Sequence, residues 1–168
     1  TGCRVWSSGT VTDVALPGVG IAYHTRMQIR AAAHSDAPLI IAFDEVARTS
    51  RERVNFIYSV ISARHCYVAV DKQQVVAYGV LEHNFFQQGF VSMLYVSTPH
   101  RRKGIGSALT QHMESQCKTP KLFTSTDESN TAMRALLAKL NYEPSGAIEG
   151  LNDTGPELIF AKQLRYTG

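Results

Sequence analysis

The chain has 168 residues, 44% hydrophobic and 18% charged, with a formal net charge of +3. That size and balance fit a single domain with a full core, and a charge this small does not by itself indicate a nucleic-acid partner. No run of about 18 apolar residues marks a membrane span, and the first residues lack the pattern of a signal peptide.

Three cysteines (Cys3, Cys66, Cys117) are odd in number and scattered, with neither C-x-x-C nor zinc spacing. Cys66 and Cys117 read as core thiols, a reducing, cytoplasmic setting fits the set, and no metal site is expected.

Residues 1–26 hold four glycines and one proline and show no sustained hydrophobic period. They read as a leader or an extra arm, ahead of one domain over 27–168. Met27 to Ala32 is expected as a first strand. His34, Ser35 and Asp36 then supply a helix N-cap, with Pro38 in the first turn. Leu39, Ile40, Phe43 and Val46–Ala47 follow at helical spacing. Val54, Ile57, Tyr58 and Ile61 form a second stripe.

Cys66 to Val70 and Val75 to Leu81 read as strands joined by a short loop over Asp71 to Gln74. Gly79 suggests a bulge or a close backbone contact. After a connection over Glu82 to Gly89, Phe90 to Val96 is the next strand. A helix follows, then a strand over Leu122 to Thr126, and a helix begins after Asp127 to Asn130. Met133, Leu136, Leu137 and Leu140 mark that helix's buried face. Gly146 to Ile148 and Leu158 to Ala161 close the chain as strands.

The stretch from Val91 to Gln116 organises the rest. An apolar strand leads through Ser97, Thr98, Pro99 and His100 to Arg101, Arg102 and Lys103. Gly104 and Gly106 come next. Ile105, Leu109, Met113 and Cys117 then recur every four residues along one helix face. The first turn of a helix has unpartnered N–H groups and a dipole that favours negative charge. Glycines let a ligand approach the backbone, and the cations add charge, so the turn suits a phosphate or pyrophosphate. The spacing is not that of a P-loop, because Lys103 precedes the glycines. A dinucleotide fingerprint would need a third glycine where Leu109 stands.

Arg101-x-x-Gly104-x-Gly106 after an apolar strand and V-x-x-P resembles the acetyl-CoA-binding motif of the GNAT acyltransferase superfamily. The opening pattern I-R-x-A-x-x-x-D from Ile29 to Asp36 is similar to the start of such a domain. The order β-α-α-β-β-β-α-β-α-β-β over about 27–164 fits its fold, a mixed α/β sheet with helices on both faces. The resemblance implies acetyl-CoA as co-substrate, with the pantetheine arm along Leu94, Tyr95 and Val96. The pyrophosphate would sit on Arg102, Lys103, Gly104, Ile105, Gly106 and Ser107, with Arg101 leading the motif. Asn130 holds the place of an asparagine that touches the coenzyme, and it also reads as a plain helix cap.

The implied reaction is acetyl transfer to a primary amine of a small molecule or protein. It needs a neutral amine, an oxyanion donor and a proton for the leaving thiolate. The resemblance implies a tyrosine acid in the last helix, and Leu137 occupies that position. Tyr95, ahead of Tyr142, is the substitute candidate. Glu82, with His83 beside it, is the candidate base, and Glu157 is a third. A coenzyme-binding module without catalysis is the alternative reading. No nucleic-acid or membrane partner is expected, and a homodimer is family analogy.

Overall fold

A computed structural model describes residues 27–164; the leader or arm expected at 1–26 lies outside the described residues. The elements are β1 (Gln28–Ala31), α1 (Ala37–Phe43), α2 (Arg51–Ser62), β2 (Cys66–Asp71), β3 (Gln74–Phe85) and β4 (Gln88–Val96). Then come α3 (Ile105–Gln116), β5 (Lys121–Asp127), α4 (Thr131–Lys139), β6 (Glu143–Asn152) and β7 (Gly155–Gln163). They form one seven-stranded sheet in the order β1-β2-β3-β4-β5-β7-β6. Only β4 and β5 run parallel; every other neighbouring pair is antiparallel.

Alternation along the strands divides the core in two. Val68, Tyr78 and Val80 face α1 and α2, where they pack with Ile40, Ile57 and Ile61. Ala69, Ala77, Leu81, Val91, Leu122 and Phe160 face α3 and α4, where they meet Leu109, Met113 and Leu137. Helices therefore cover both faces. Gly79 makes the close contact that its place in a strand suggested. A Cβ there would lie 2.7 Å from Met113 Cε, so α3 lies directly on the sheet.

Three local boundaries differ from expectation. The first helix stops at Phe43, because Asp44 leaves the helical conformation and its buried carboxylate accepts from Val46 N–H, Ala47 N–H and the Tyr78 hydroxyl. Val46 and Ala47 thus lie in a turn. β3 continues to Phe85, and only Phe86 and Gln87 connect it to β4. Both adopt positive φ (49° and 63°), which costs a non-glycine residue about 1 kcal/mol or more. No glycine or asparagine announces that turn. The last two strands are longer than predicted, because their exposed polar residues extend the hairpin beyond its apolar centres.

Candidate functional site

The ladder between β4 and β5 covers only Gly89, Phe90 and Val91 against Leu122, Phe123 and Thr124. Beyond those rungs the two strands part. The departure coincides with a bulge: Leu81 faces Val91 while Val80 faces Met93, so Ser92 is an extra residue on β4. Backbone polar groups alternate between a strand's two edges. The Ser97 N–H donates to Val76 C=O on β3, and the Tyr95 main chain shares that edge. The main-chain groups of Leu94 and Val96 therefore face the opening. Ser92 Oγ, at the bulge beside the opening, is buried without a hydrogen-bond partner, as is Gln88 Oε1 at the start of β4.

The turn after β4 is braced from within. His100 Nδ1 and Ser97 Oγ are 2.8 Å apart. Arg101 folds back, so that its Nε donates to Val96 C=O at 3.0 Å and its guanidinium lies 5.6 Å from the Tyr95 ring centre. Arg101 thus ties the turn to the strand, and Arg102 and Lys103 are left exposed. Arg102 (φ 61°) and Gly104 (φ 80°) take left-handed conformations that bring the chain into α3.

No side chain caps α3. By contrast, the Ser50 hydroxyl caps α2 and the Asn130 amide oxygen caps α4 by accepting from Met133 N–H at 3.0 Å. The N–H groups of Ile105, Gly106 and Ser107 precede the first intrahelical bond, which Ala108 N–H makes to Gly104 C=O.

The two motif glycines differ. A Cβ on Gly104 would meet nothing within 4 Å, so the space above it is open. A Cβ on Gly106 would lie 3.0 Å from Leu136 Cδ1 and near Val96 and Leu94. Gly104 suits a ligand against the backbone, whereas Gly106 lets α3, α4 and β4 come together.

The other candidates separate by face. The Tyr95 ring turns to the α1–α2 side, with ring centres 6.1 Å from both Phe43 and Tyr78. Its hydroxyl accepts from Glu45 N–H at 3.1 Å, and Glu45 Oε1 accepts from the Thr98 hydroxyl at 3.0 Å. The α1–α2 connection is therefore latched to the turn, a link between residues 45 and 98 that no local pattern reveals.

Glu82 shares the α1–α2 side. It pairs with Phe90 at the last rungs before the opening, with His65 Nδ1 3.9 Å away and Asn84 at 3.4 Å. His83 points the opposite way, where its Nε2 accepts from Lys118 N–H at 3.0 Å. Burial, with Lys118 and His65 adding to it, holds its pKa below the usual histidine value. His83 is thus a neutral structural acceptor.

Leu137 is fully buried, and Tyr142 is buried on the α3–α4 side, away from Tyr95. Burial and then the nearby Glu114 carboxylate push the Tyr142 phenol upward. The Glu114 carboxylate is itself held by Lys162 Nζ at 2.7 and 2.8 Å. Glu157 accepts from Asn152 at 3.0 Å within the last hairpin. Cys66 is buried, which raises its thiol pKa to about 12, so it is a core residue. No group of three or more His, Cys, Asp or Glu among the described residues could hold a metal ion. No helix among them is long and apolar enough to cross a membrane.

The sequence model of the Acetyltransferase (GNAT) family matches residues 30–142. No curated protein matches the sequence. Among solved structures, a GNAT-family acetyltransferase from Bacillus cereus is similar, with a TM-score of 0.79 and 28% identity. That match covers 84% of this chain and 99% of the other. The ribosomal-protein-S18-alanine N-acetyltransferase from Escherichia coli aligns with a TM-score of 0.71 at 17% identity, over 85% of this chain and 97% of its own. A Salmonella typhimurium protein solved with its cofactor acetyl-CoA aligns with a TM-score of 0.69 at 18% identity, over 85% and 96%.

Proposed function

Because the chain belongs to the GNAT acetyltransferase family, we propose that it transfers the acetyl group of acetyl-CoA to a primary amine, by direct attack of the amine with both substrates bound. The observation that carries this reading is the uncapped start of α3 beside the open space over Gly104. Three N–H groups and a helix dipole lie beside open space flanked by exposed cations, which is the chemistry a pyrophosphate requires. Arg102, Lys103, Gly104, Ile105, Gly106 and Ser107 would bind it. Arg101 contributes by fixing the turn to β4.

The main-chain edge of Leu94 and Val96 that faces the opening, where Val96 C=O already accepts from Arg101, suits the amide-bearing pantetheine arm, which would pair with β4 where β5 has departed. The arm would leave the thioester near the bulge at Ser92. There, a preorganised backbone N–H stabilises the negative oxygen as the amine nitrogen bonds to the thioester carbon. Glu82 takes the proton lost by the amine, directly or through water. The C–S bond then breaks, and the thiolate takes a proton from solvent. An ordinary thiol pKa of about 8.5 makes it a tolerable leaving group without an acid at position 137. In this reading Tyr95 orders the α1–α2 connection instead of supplying that proton.

The test is calorimetric titration of acetyl-CoA into the wild type and Gly104→Asp. Aspartate tolerates the left-handed conformation better than most residues and puts a carboxylate in the open space. Binding to the wild type, weakened about 100-fold in the variant with thermal stability retained, supports the reading. Equal binding to both would remove the coenzyme from this turn. The buried Leu137 favours a second reading, a coenzyme-binding module without catalysis. Thiol release with any primary amine excludes it.

A further inference from the structure

Four phenylalanines at the closed end of the β4–β5 opening belong to neither core cluster. Phe85 stacks on Phe90 with ring centres 4.9 Å apart, and it lies 5.3 Å from Phe123 and 5.2 Å from Phe86. Phe90 and Phe123 are partners on the short parallel ladder, so their rings sit on one face of the sheet. That is the α1–α2 face, because Val91 and Leu122 beside them point to the other core.

Phe86 is the least expected of the four. It is 85% exposed and its φ is 49°. Solvation and local sterics both disfavour a phenylalanine there. The β2–β3 hairpin makes a two-residue turn of the same left-handed kind with Lys72 (φ 46°) and Gln73 (φ 67°). Polar residues thus fill that turn in this chain, and the fold does not require an aromatic one. An apolar residue held in a strained, exposed position points to a ligand.

Glu82 supplies the charge. It pairs with Phe90 across β3 and β4, so the carboxylate and the ring stand side by side, with Cβ atoms roughly 5 Å apart. An anionic group beside an aromatic floor complements a molecule with an ammonium at one end and an apolar body at the other.

We infer that the acceptor is an arylalkylamine or a comparably bulky apolar primary amine. Its body lies on Phe85, Phe90 and Phe123 with Phe86 as the lip, and its amine faces Glu82. This rests on the acetyltransferase reading above and names the substrate class for that site. Phe86, Phe90 and Phe123 are then specificity residues. They are separated from the turn that binds the coenzyme.

The experiment compares 2-phenylethylamine, n-butylamine and spermidine as acceptors, by thiol release and by calorimetric titration into the protein saturated with CoA. Wild type, Phe86→Ser and Phe123→Ala are used, with acetyl-CoA affinity measured for each. The expected result is at least a tenfold preference in kcat/KM for 2-phenylethylamine. Phe86→Ser lowers that value about tenfold, hardly alters n-butylamine, and leaves acetyl-CoA affinity intact. Because Phe86 is exposed, this variant does not depend on Phe123→Ala folding.

Turnover with spermidine preferred, or with no preference, overturns the inference while leaving the acetyltransferase reading standing. So does a Phe86→Ser variant that converts a dimer to a monomer with amine preference unchanged, since the rings would then serve a second copy of the chain. Failure of the wild type to bind acetyl-CoA removes the underlying reading and this inference with it.

Discussion

On its α3–α4 side, the outer half of β4 presents Leu94 and Val96 to Gly106 and Leu136, and the turn that follows is braced by Arg101 on Val96. The polar groups that suit a coenzyme there are backbone groups of residues 94–107, contiguous in the chain. The opposite side is built otherwise. Met93 receives Arg53 from α2, Tyr95 stacks on Tyr78 and leans against Phe43, and Glu82 and the four phenylalanines come from β3, β4, β5 and the turn between β3 and β4. A site made of main chain survives most side-chain changes if the glycines remain. A site made of side chains from distant segments changes with each residue, so under the proposed function acceptor choice would reside on that face.

The division is broken most directly at Glu82. Glu82→Gln keeps the shape and removes the proposed base, so kcat should fall about 1000-fold, with acetyl-CoA affinity unchanged. A parallel loss of acetyl-CoA affinity would mean that the two faces are not separate. Asp44→Ala is expected to come next. It strips the buried carboxylate that receives the Tyr78 hydroxyl at 2.7 Å and lies 3.8 Å from Arg53, leaving both short of a partner. Breaking such a buried network costs about 3 kcal/mol, read as a lowered urea midpoint. The α1–α2 connection loosens with it, so the acceptor KM should rise more than the acetyl-CoA Kd. The reverse order would place the connection on the coenzyme side.

The same contrast explains what the sequence reveals. The turn from Val96 to Gly106 is legible because its glycines, cations and helix start are consecutive and each has a local physical reason. Element order is legible because hydrophobic period changes from about 2 to about 3.6 at each boundary. The α1–α2 side is not. Phe90 and Phe123 are 33 positions apart and meet only through the parallel ladder, and Glu45 reaches Thr98 across 53 positions. Ser92 becomes an extra residue only when β3 and β4 are set in register. Phe86 was hidden for another reason: its turn lacks the Asn-Gly or Asp-Gly signal of a two-residue hairpin. The two glycines looked alike in the motif, yet Leu136 lies against Gly106, and the space over Gly104 stays open.

The smallest effect separates two adjacent residues. Glu82 belongs to the α1–α2 side, whereas His83 is fixed on the other by accepting from Lys118 N–H. Burial, Lys118 and His65 all lower the His83 pKa, and burial lowers that of His112 against Tyr67. A histidine whose folded pKa lies below its unfolded value of about 6.5 contributes stability that is present above that pH. The contribution is lost as pH falls from there towards the folded value, because the unfolded chain binds the proton more readily. Asp36 is depressed by its hydrogen bonds from Arg30, so its contribution fades only below about pH 4 and does not enter this window. The urea midpoint should therefore drop between pH 7.5 and 5.5. His83→Gln retains an acceptor for Lys118 and does not titrate, so it should flatten the drop, and adding His112→Gln should flatten it further. A full drop in the double variant would assign the pH response to other groups. A drop in acetyl-CoA affinity that tracks His83 would instead join the sheet's hairpin end to the coenzyme turn.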